Sequence, residues 1–206
     1  MARKLQGRIP ANEALRAIYI DCEGFSGQSP ALIGILVDES LEQVVLDPDL
    51  ERVAVARKHR LASFISEATR LVNIAKTEGR FIVAYSEHEC NLFLKYADID
   101  ITDHYCDARK LAKRWRNRLH PDLPLPNHGL QDFLRIINFP RRTYLGQKKS
   151  TKRIKAVKDM VLSKGSYDAL TSTKKAQWTK LLEHNAVDCW GMRALVIHAT
   201  LELGAK

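Results

Sequence analysis

The stretch Ile18-Tyr19-Ile20-Asp21-Cys22-Glu23-Gly24 constrains this chain more than any other. An apolar run ends in two carboxylates one residue apart, then a glycine. Read as a strand, its side chains alternate between faces. Asp21 and Glu23 then point one way and Cys22 the other. Ala17 to Ile20 are apolar without a break, so the strand should be buried on both faces. Two carboxylates on one face of a buried strand repel each other unless something neutralises them. A divalent cation is the usual partner, and Mg²⁺ or Mn²⁺ favours carboxylate oxygens. The plainer alternative is a strand that runs out into a solvated acidic turn.

The rest of the chain builds a sheet around that strand. Residues 1–15 show no clear periodicity and read as a loose arm. After the first strand (16–23), Gly24 to Pro30 is a turn. Ala31 to Val37 and Leu41 to Leu46 follow as strands, spaced closely enough for an antiparallel meander. Residues 56–77 place Leu61, Phe64, Ile65, Ala68, Leu71, Val72 and Ala75 at helical spacing, closed by Gly79. Phe81 to Tyr85 is a fourth strand, with a helix from about Glu87 to Tyr96. Asp103 to Asp107 is a fifth strand. Arg109 to Arg118 is a basic helix, and Leu130 to Ile137 is a short one. A final helix from Glu183 to about Leu203 has Ala186, Val187, Trp190, Ala194, Leu195 and Ile197 to supply a buried stripe. The sum is one α/β domain over residues 1–206, a mixed sheet flanked by helices.

Charge adds a second constraint. From Arg141 to Lys180 there are 12 Lys and Arg against 2 Asp and Glu, whereas the remainder has 21 against 22. The whole net charge of +9 therefore sits in one basic helical insert at about 140–182. Arg141, Arg142, Lys148, Lys149, Lys152, Arg153 and Lys155 form its densest part. Such a patch beside a near-neutral body suggests a polyanion, nucleic acid first. A solubilising surface insert is the bland alternative. Tyr144, Tyr167 and Trp178 could stack on bases or form a small core, the better reading for Trp178. Trp115, among Lys113, Arg114, Arg116 and Arg118, is open in the same way. The four cysteines are far apart in the chain, which argues against zinc and a disulfide framework. No apolar run is long enough to span a membrane, and the N-terminus has no signal-peptide core. A reducing, cytoplasmic setting follows.

Two further places carry chemistry-bearing residues. Tyr85-Ser86-Glu87-His88-Glu89 follows the fourth strand. His184-Asn185-Ala186-Val187-Asp188 lies on the final helix, where i,i+4 spacing puts His184 and Asp188 on one face. Alone, that pair is more often a surface feature than a site.

Taken together, in order and spacing, these residues resemble the ribonuclease-H-like DEDD exonuclease superfamily. Ile20-Asp21-Cys22-Glu23 matches its first motif, and Asp107 to Ala112 followed by His128 to Leu134 is similar to its strand-to-helix passage and later helix. The nearest likeness is to the predicted RNase-H-like nuclease subfamily, through Leu32-Ile33-Gly34, Tyr85-Ser-Glu-His-Glu89 and His184-Asn-Ala-Val-Asp188-Cys189. The resemblance runs from about residue 16 to 200. It implies a ribonuclease-H-like sheet of three antiparallel strands, then parallel ones. It also implies a metal-dependent nuclease that hydrolyses phosphodiester bonds of DNA or RNA, first a 3′–5′ exonuclease. Two Mg²⁺ (or Mn²⁺) ions would be held by Asp21, Glu23, Glu89 and Asp188, with His184 as general base. Two departures stand out. The His-x-x-x-Asp spacing is that of members with Tyr in place of His. The middle acid is Glu rather than Asp, with Glu87 and Glu89 competing; alignment on Tyr85 favours Glu89. The alternatives are a structure-selective endonuclease on the same fold and a binding module that does not cut. A zinc deaminase signature, a phosphate-binding Gly-x-x-x-x-Gly-Lys loop and a Gly-x-Ser-x-Gly elbow are all absent.

Overall fold

A computed structural model describes residues 7–124, 127–140 and 149–205. It is an α/β structure with a six-stranded mixed sheet flanked by helices. Strand β1 (Ile18–Gly24) pairs antiparallel with β2 (Pro30–Val37), and β2 pairs antiparallel with β3 (Ser40–Val45). The expected meander is therefore present. On the other side of β1, β5 (Ile82–Ala84) runs parallel, and β6 (Tyr105–Asp107) runs parallel to β5. A two-residue β4 (Arg60–Leu61) lies parallel to β3 at the far edge. The order is β4-β3-β2-β1-β5-β6, so the strand bearing Asp21 and Glu23 sits inside the sheet.

Alternation along β1 sorts the core. Ile18 and Ile20 pack with Ile33 and Ile35 beneath α3 (Phe64–Glu78) and α4 (Glu87–Ala97). Tyr19 faces the other way with Leu36, Val83 and Cys106. That face is covered by α5 (Ala108–Leu119), α6 (Leu130–Ile136) and α8 (Ser172–Gly204). Farther along the same face, α7 (Ser150–Lys164) and the first turns of α8 close a third core over Leu32 and Val45. Ile154, Val157, Val161, Trp178 and Leu181 fill it, with Val53 of α2 (Glu51–Ala56).

Several boundaries differ from the sequence reading, each for a local reason. The expected arm contains α1 (Ala11–Arg16), held because the Tyr19 hydroxyl donates to the Ala14 carbonyl at 2.6 Å. The long helix expected over 56–77 starts only at Phe64. Ser63 caps it by accepting from the Ser66 N–H at 3.1 Å. Gly79 ends it in the left-handed region at φ 64°, as expected. Leu61 consequently lies in β4, and Ile65 is exposed.

The last helix is also longer than expected, beginning at Ser172 and running 33 residues. Its buried stripe is Leu181, Asn185, Cys189, Met192, Leu195, Val196 and Ala199. Of the six residues expected there, only Leu195 is fully buried. Helices α1, α5, α6 and α7 and strands β1, β2 and β3 all touch α8. Neighbours on several sides blur the one-sided pattern that periodicity detects. Trp115 and Trp178 are both fully buried. Among the described residues, no helix is long and apolar enough to cross a membrane.

Candidate carboxylate site

The site begins with the register of β1 on β2. Asp21 stands opposite Gly34, and Gly34 opposite Gln43, all on the face toward α8. A Cβ on Gly34 would come within 2.2 Å of the Asn185 side-chain oxygen. The missing side chain lets α8 press Asn185 against the sheet. There Asn185 Nδ2 donates to the Asp21 carbonyl at 2.8 Å and to its carboxylate at 2.9 Å. Gln43 Nε2 in turn donates to Asn185 Oδ1 at 2.9 Å and to the Leu182 carbonyl at 2.8 Å. The amide orientation of Asn185 is thus fixed from both ends, and it fixes Asp21.

From the residue just before Asn185 and from nearly one turn beyond it, α8 brings in His184 and Asp188. His184 Nε2 lies 3.8 Å from Glu23 Oε1 and 3.6 Å from Asp188 Oδ2. The helix that carries His184 is therefore the one that meets both Asp21 and Glu23, which share a face as alternation along β1 predicts. Glu23 has a second anchor, because the Ser150 hydroxyl donates to it at 2.7 Å. The adjacent Thr151 hydroxyl donates to the Gly24 carbonyl at 2.9 Å. The N-terminus of α7 is thereby pinned to the end of β1.

Glu89 arrives from the opposite face, on the first turn of α4. Ser86 caps that helix by accepting from the His88 N–H at 3.2 Å, and the Tyr105 hydroxyl donates to the Ser86 carbonyl. Glu89 is 7% exposed, and its Oε2 is buried without a hydrogen-bond partner. Glu87, the competing acid, is 62% exposed and lies 3.9 Å from the Lys110 ammonium. Of the two, Glu89 is the one whose charge bears on Asp21 and Glu23.

The electrostatics follow from this crowding. Burial, then Glu23, Asp188 and Glu89, push the Asp21 carboxyl well above the usual range, against the Asn185 hydrogen bond. Burial lifts Glu23 to about 7, opposed by Ser150 and reinforced by Asp188. Burial lifts Glu89 to about 8, with Glu23 and Asp107 adding to it. These groups sense one another as like charges in a poorly solvated place. Among the described residues, no three His, Cys, Asp or Glu side chains stand as a ready-made metal cage.

A cavity of about 460 Å³ opens beside Glu23. Phe25 and Gln28 of the β1–β2 turn line it, with His88, Asn91, Lys95 and Tyr96 of α4. The Tyr96 hydroxyl is buried there without a partner, and Lys95 Nζ lies 4.8 Å from its ring centroid.

The basic residues divide. Lys149 and Lys152 are exposed at the start of α7, next to the Ser150–Glu23 contact. Lys155 is exposed but pairs with Asp159 at 3.1 Å. Arg153 is only 7% exposed, and its Nη1 donates to the Lys180 carbonyl at 3.4 Å. It faces inward, where Glu23 feels its charge. Arg141, Arg142, Tyr144 and Lys148 lie outside the described residues. Lys158, also in the insert, is tied to Asp47 and Asp49 at 2.6 and 2.8 Å.

Sequence reasoning missed Gln43 and Ser150 and gave Asn185 no role. The missed signal for Asn185 was Gly34. A glycine inside an apolar strand marks a close approach of another element. Nothing in the local sequence marks Gln43 or Ser150, whose partners are 142 and 127 residues away. The chain matches no protein-family model and no curated protein sequence.

Proposed function

We propose that the chain is a metal-dependent nuclease that hydrolyses phosphodiester bonds of DNA or RNA, acting as a 3′–5′ exonuclease. One observation carries the reading. Asp21, Glu23, Glu89 and Asp188 are brought in by three separate elements, burial and neighbouring charge raise the first three above the usual carboxylate range, and an imidazole stands 3.6 Å from Asp188. Clustered buried negative charge is costly unless cations use it. The sheet order supports the same reading. A central β1, an antiparallel β2 and β3 on one side, and parallel β5 and β6 on the other accord with a ribonuclease-H-like sheet.

The donor set suits Mg²⁺ or Mn²⁺. All four groups offer carboxylate oxygens, and one buried oxygen of Glu89 has no partner. Asp21, Glu23, Glu89 and Asp188 would hold two ions. When bound, such ions activate water and stabilise the departing oxygen of a phosphodiester. The chain's own residues do the remainder. Asn185 orients Asp21, and Ser150 orients Glu23. His184 accepts the proton of the attacking water from its place between Glu23 and Asp188. The cavity beside Glu23 receives the end of a strand, with Phe25 and Tyr96 offering faces to a base.

The test is cleavage of end-labelled single strands and duplexes of DNA and RNA with Mg²⁺, Mn²⁺ or EDTA. A metal-dependent ladder from the 3′ end is expected, lost in Asp21→Asn and Asp188→Asn. A single internal cut would indicate an endonuclease instead. Full activity in either variant would sink the assignment of the site.

A further inference from the structure

A second polar cavity, of about 470 Å³, lies between Arg8, Arg114 and Arg118 over a floor that includes Ile9, Phe81 and Leu203. It is far from the carboxylates. Phe81 precedes β5 at the end opposite Glu89, and Leu203 lies about 22 Å beyond Asp188 along α8, at 1.5 Å per residue. Among the described residues, no Asp or Glu lines this cavity. Among the described residues, the three guanidiniums make no ion pair with a carboxylate.

The arrangement is held in place. A Cβ on Gly7 would lie 2.5 Å from the Cβ of Lys110 and 2.7 Å from the Leu111 backbone nitrogen. That close approach lays the chain against α5 and sets Arg8 beside Arg114. Arg114 and Arg118 are four residues apart on α5, hence on one face. Like charges are thus gathered with no carboxylate side chain paired to them among the described residues. Consistently, burial and then Arg8 and Arg118 lower the Arg114 pKa.

We infer that this cavity is a binding site for a free nucleoside diphosphate or triphosphate, with the phosphates on Arg8, Arg114 and Arg118 and the base on the apolar floor. Guanidinium forks fit phosphate oxygens in pairs. The volume falls in the range of small-molecule sites. Charge favours a free polyphosphate over a passing strand. Three guanidiniums match several phosphate charges at once, whereas each nucleotide of a strand brings one.

The test is calorimetric titration of the full chain in EDTA with ADP, pyrophosphate, adenosine and a single-stranded oligonucleotide. Arg8 and Arg118 are exposed, so Arg8→Ala and Arg118→Ala should fold, as circular dichroism would verify. ADP should bind the native chain more tightly than pyrophosphate or adenosine. It should lose about ten-fold in affinity in each variant, the size of a lost charge-assisted contact. No ADP binding, or ADP binding unchanged in both variants, would overturn the site. So would oligonucleotide binding that alone depends on the arginines. Neither metal nor cleavage enters the assay, so its result is independent of the nuclease reading.

Discussion

At the scale of single residues, the pair Gly34 and Asn185 decides whether Asp21 can be held. The Asn185 side chain occupies the space a Cβ at Gly34 would need. Gly34→Ala should therefore push α8 off the sheet or rotate Asn185 away from Asp21. Overpacking of this kind costs about 1–3 kcal/mol, read as a lower denaturant midpoint, and cleavage should fall with it. Wild-type stability in Gly34→Ala would mean that the contact is slack. Asp21→Asn acts in the opposite direction. It removes one of several mutually repelling carboxylates, so metal-free protein at pH 8 should melt no lower than wild type although cutting is lost. A clear drop in melting temperature would assign Asp21 a structural role instead.

At the scale of elements, α7 and α8 do two jobs each. Helix α7 buries Ile154, Val157 and Val161 in the third core and presents Ser150 to Glu23. Helix α8 begins in that core at Trp178 and reaches the site two turns later. Trp178→Ala should cost about 3–5 kcal/mol, measured by chemical denaturation. It should also reduce cleavage, because the same rigid helix positions His184 and Asp188. A stability loss below about 1 kcal/mol would show that the core can collapse around the gap. The exposed Lys149 and Lys152 stand beside Ser150, which contacts Glu23, where they can meet a strand. Replacing both with Ala should weaken nucleic-acid binding and flatten its salt dependence by about two charges. An unchanged salt slope would return them to solubility.

The same elements show what sequence makes legible. The alternation along β1 correctly put Asp21 and Glu23 on one side of the sheet and Cys22 on the other. The i,i+4 spacing correctly put His184 and Asp188 on one face. Both are local, periodic signals. The start of α8 was not legible, because Ser172 to Leu182 mixes lysines with apolar residues that face a core made by α7. Arg153 read as a surface cation like its neighbours, and only the packing of α7 turns it inward. Gln43 and Ser150 joined the site through contacts across more than a hundred residues, which no window of sequence contains.

At the scale of the whole molecule, the raised carboxylates predict an unusual pH profile. Asp21, Glu23, Glu89 and Asp107 all have folded pKa values above their unfolded ones. A group shifted this way stabilises fully below its unfolded pKa, and that stability is lost as pH rises through the folded value. For Glu23 and Glu89 the window runs from about 4.5 to about 8. His59 and His128 are shifted down and pull the other way below their ordinary value, but they are two groups against four. Asp38, Glu67 and Glu202 are held below their ordinary values, so their contribution falls away only in more acidic solution. In EDTA the melting temperature should therefore fall between pH 5 and pH 8.5. Millimolar Mg²⁺ should restore it at the alkaline end, since a ligand that binds only the folded state stabilises it. A flat profile in EDTA would mean that the carboxylates are better solvated than their burial indicates.

The edges of the sheet bear on a different property. At one edge β4 is only two residues long, and Arg60 within it is held by Glu42 and Glu67 at 2.8 Å each. At the other, β6 is three residues long and buried throughout. Neither edge offers a long, flat row of open backbone donors and acceptors. Among the described residues, the sheet therefore presents little of the template by which sheets add to one another, the arrangement by which natural sheets resist strand-to-strand aggregation in crowded solution.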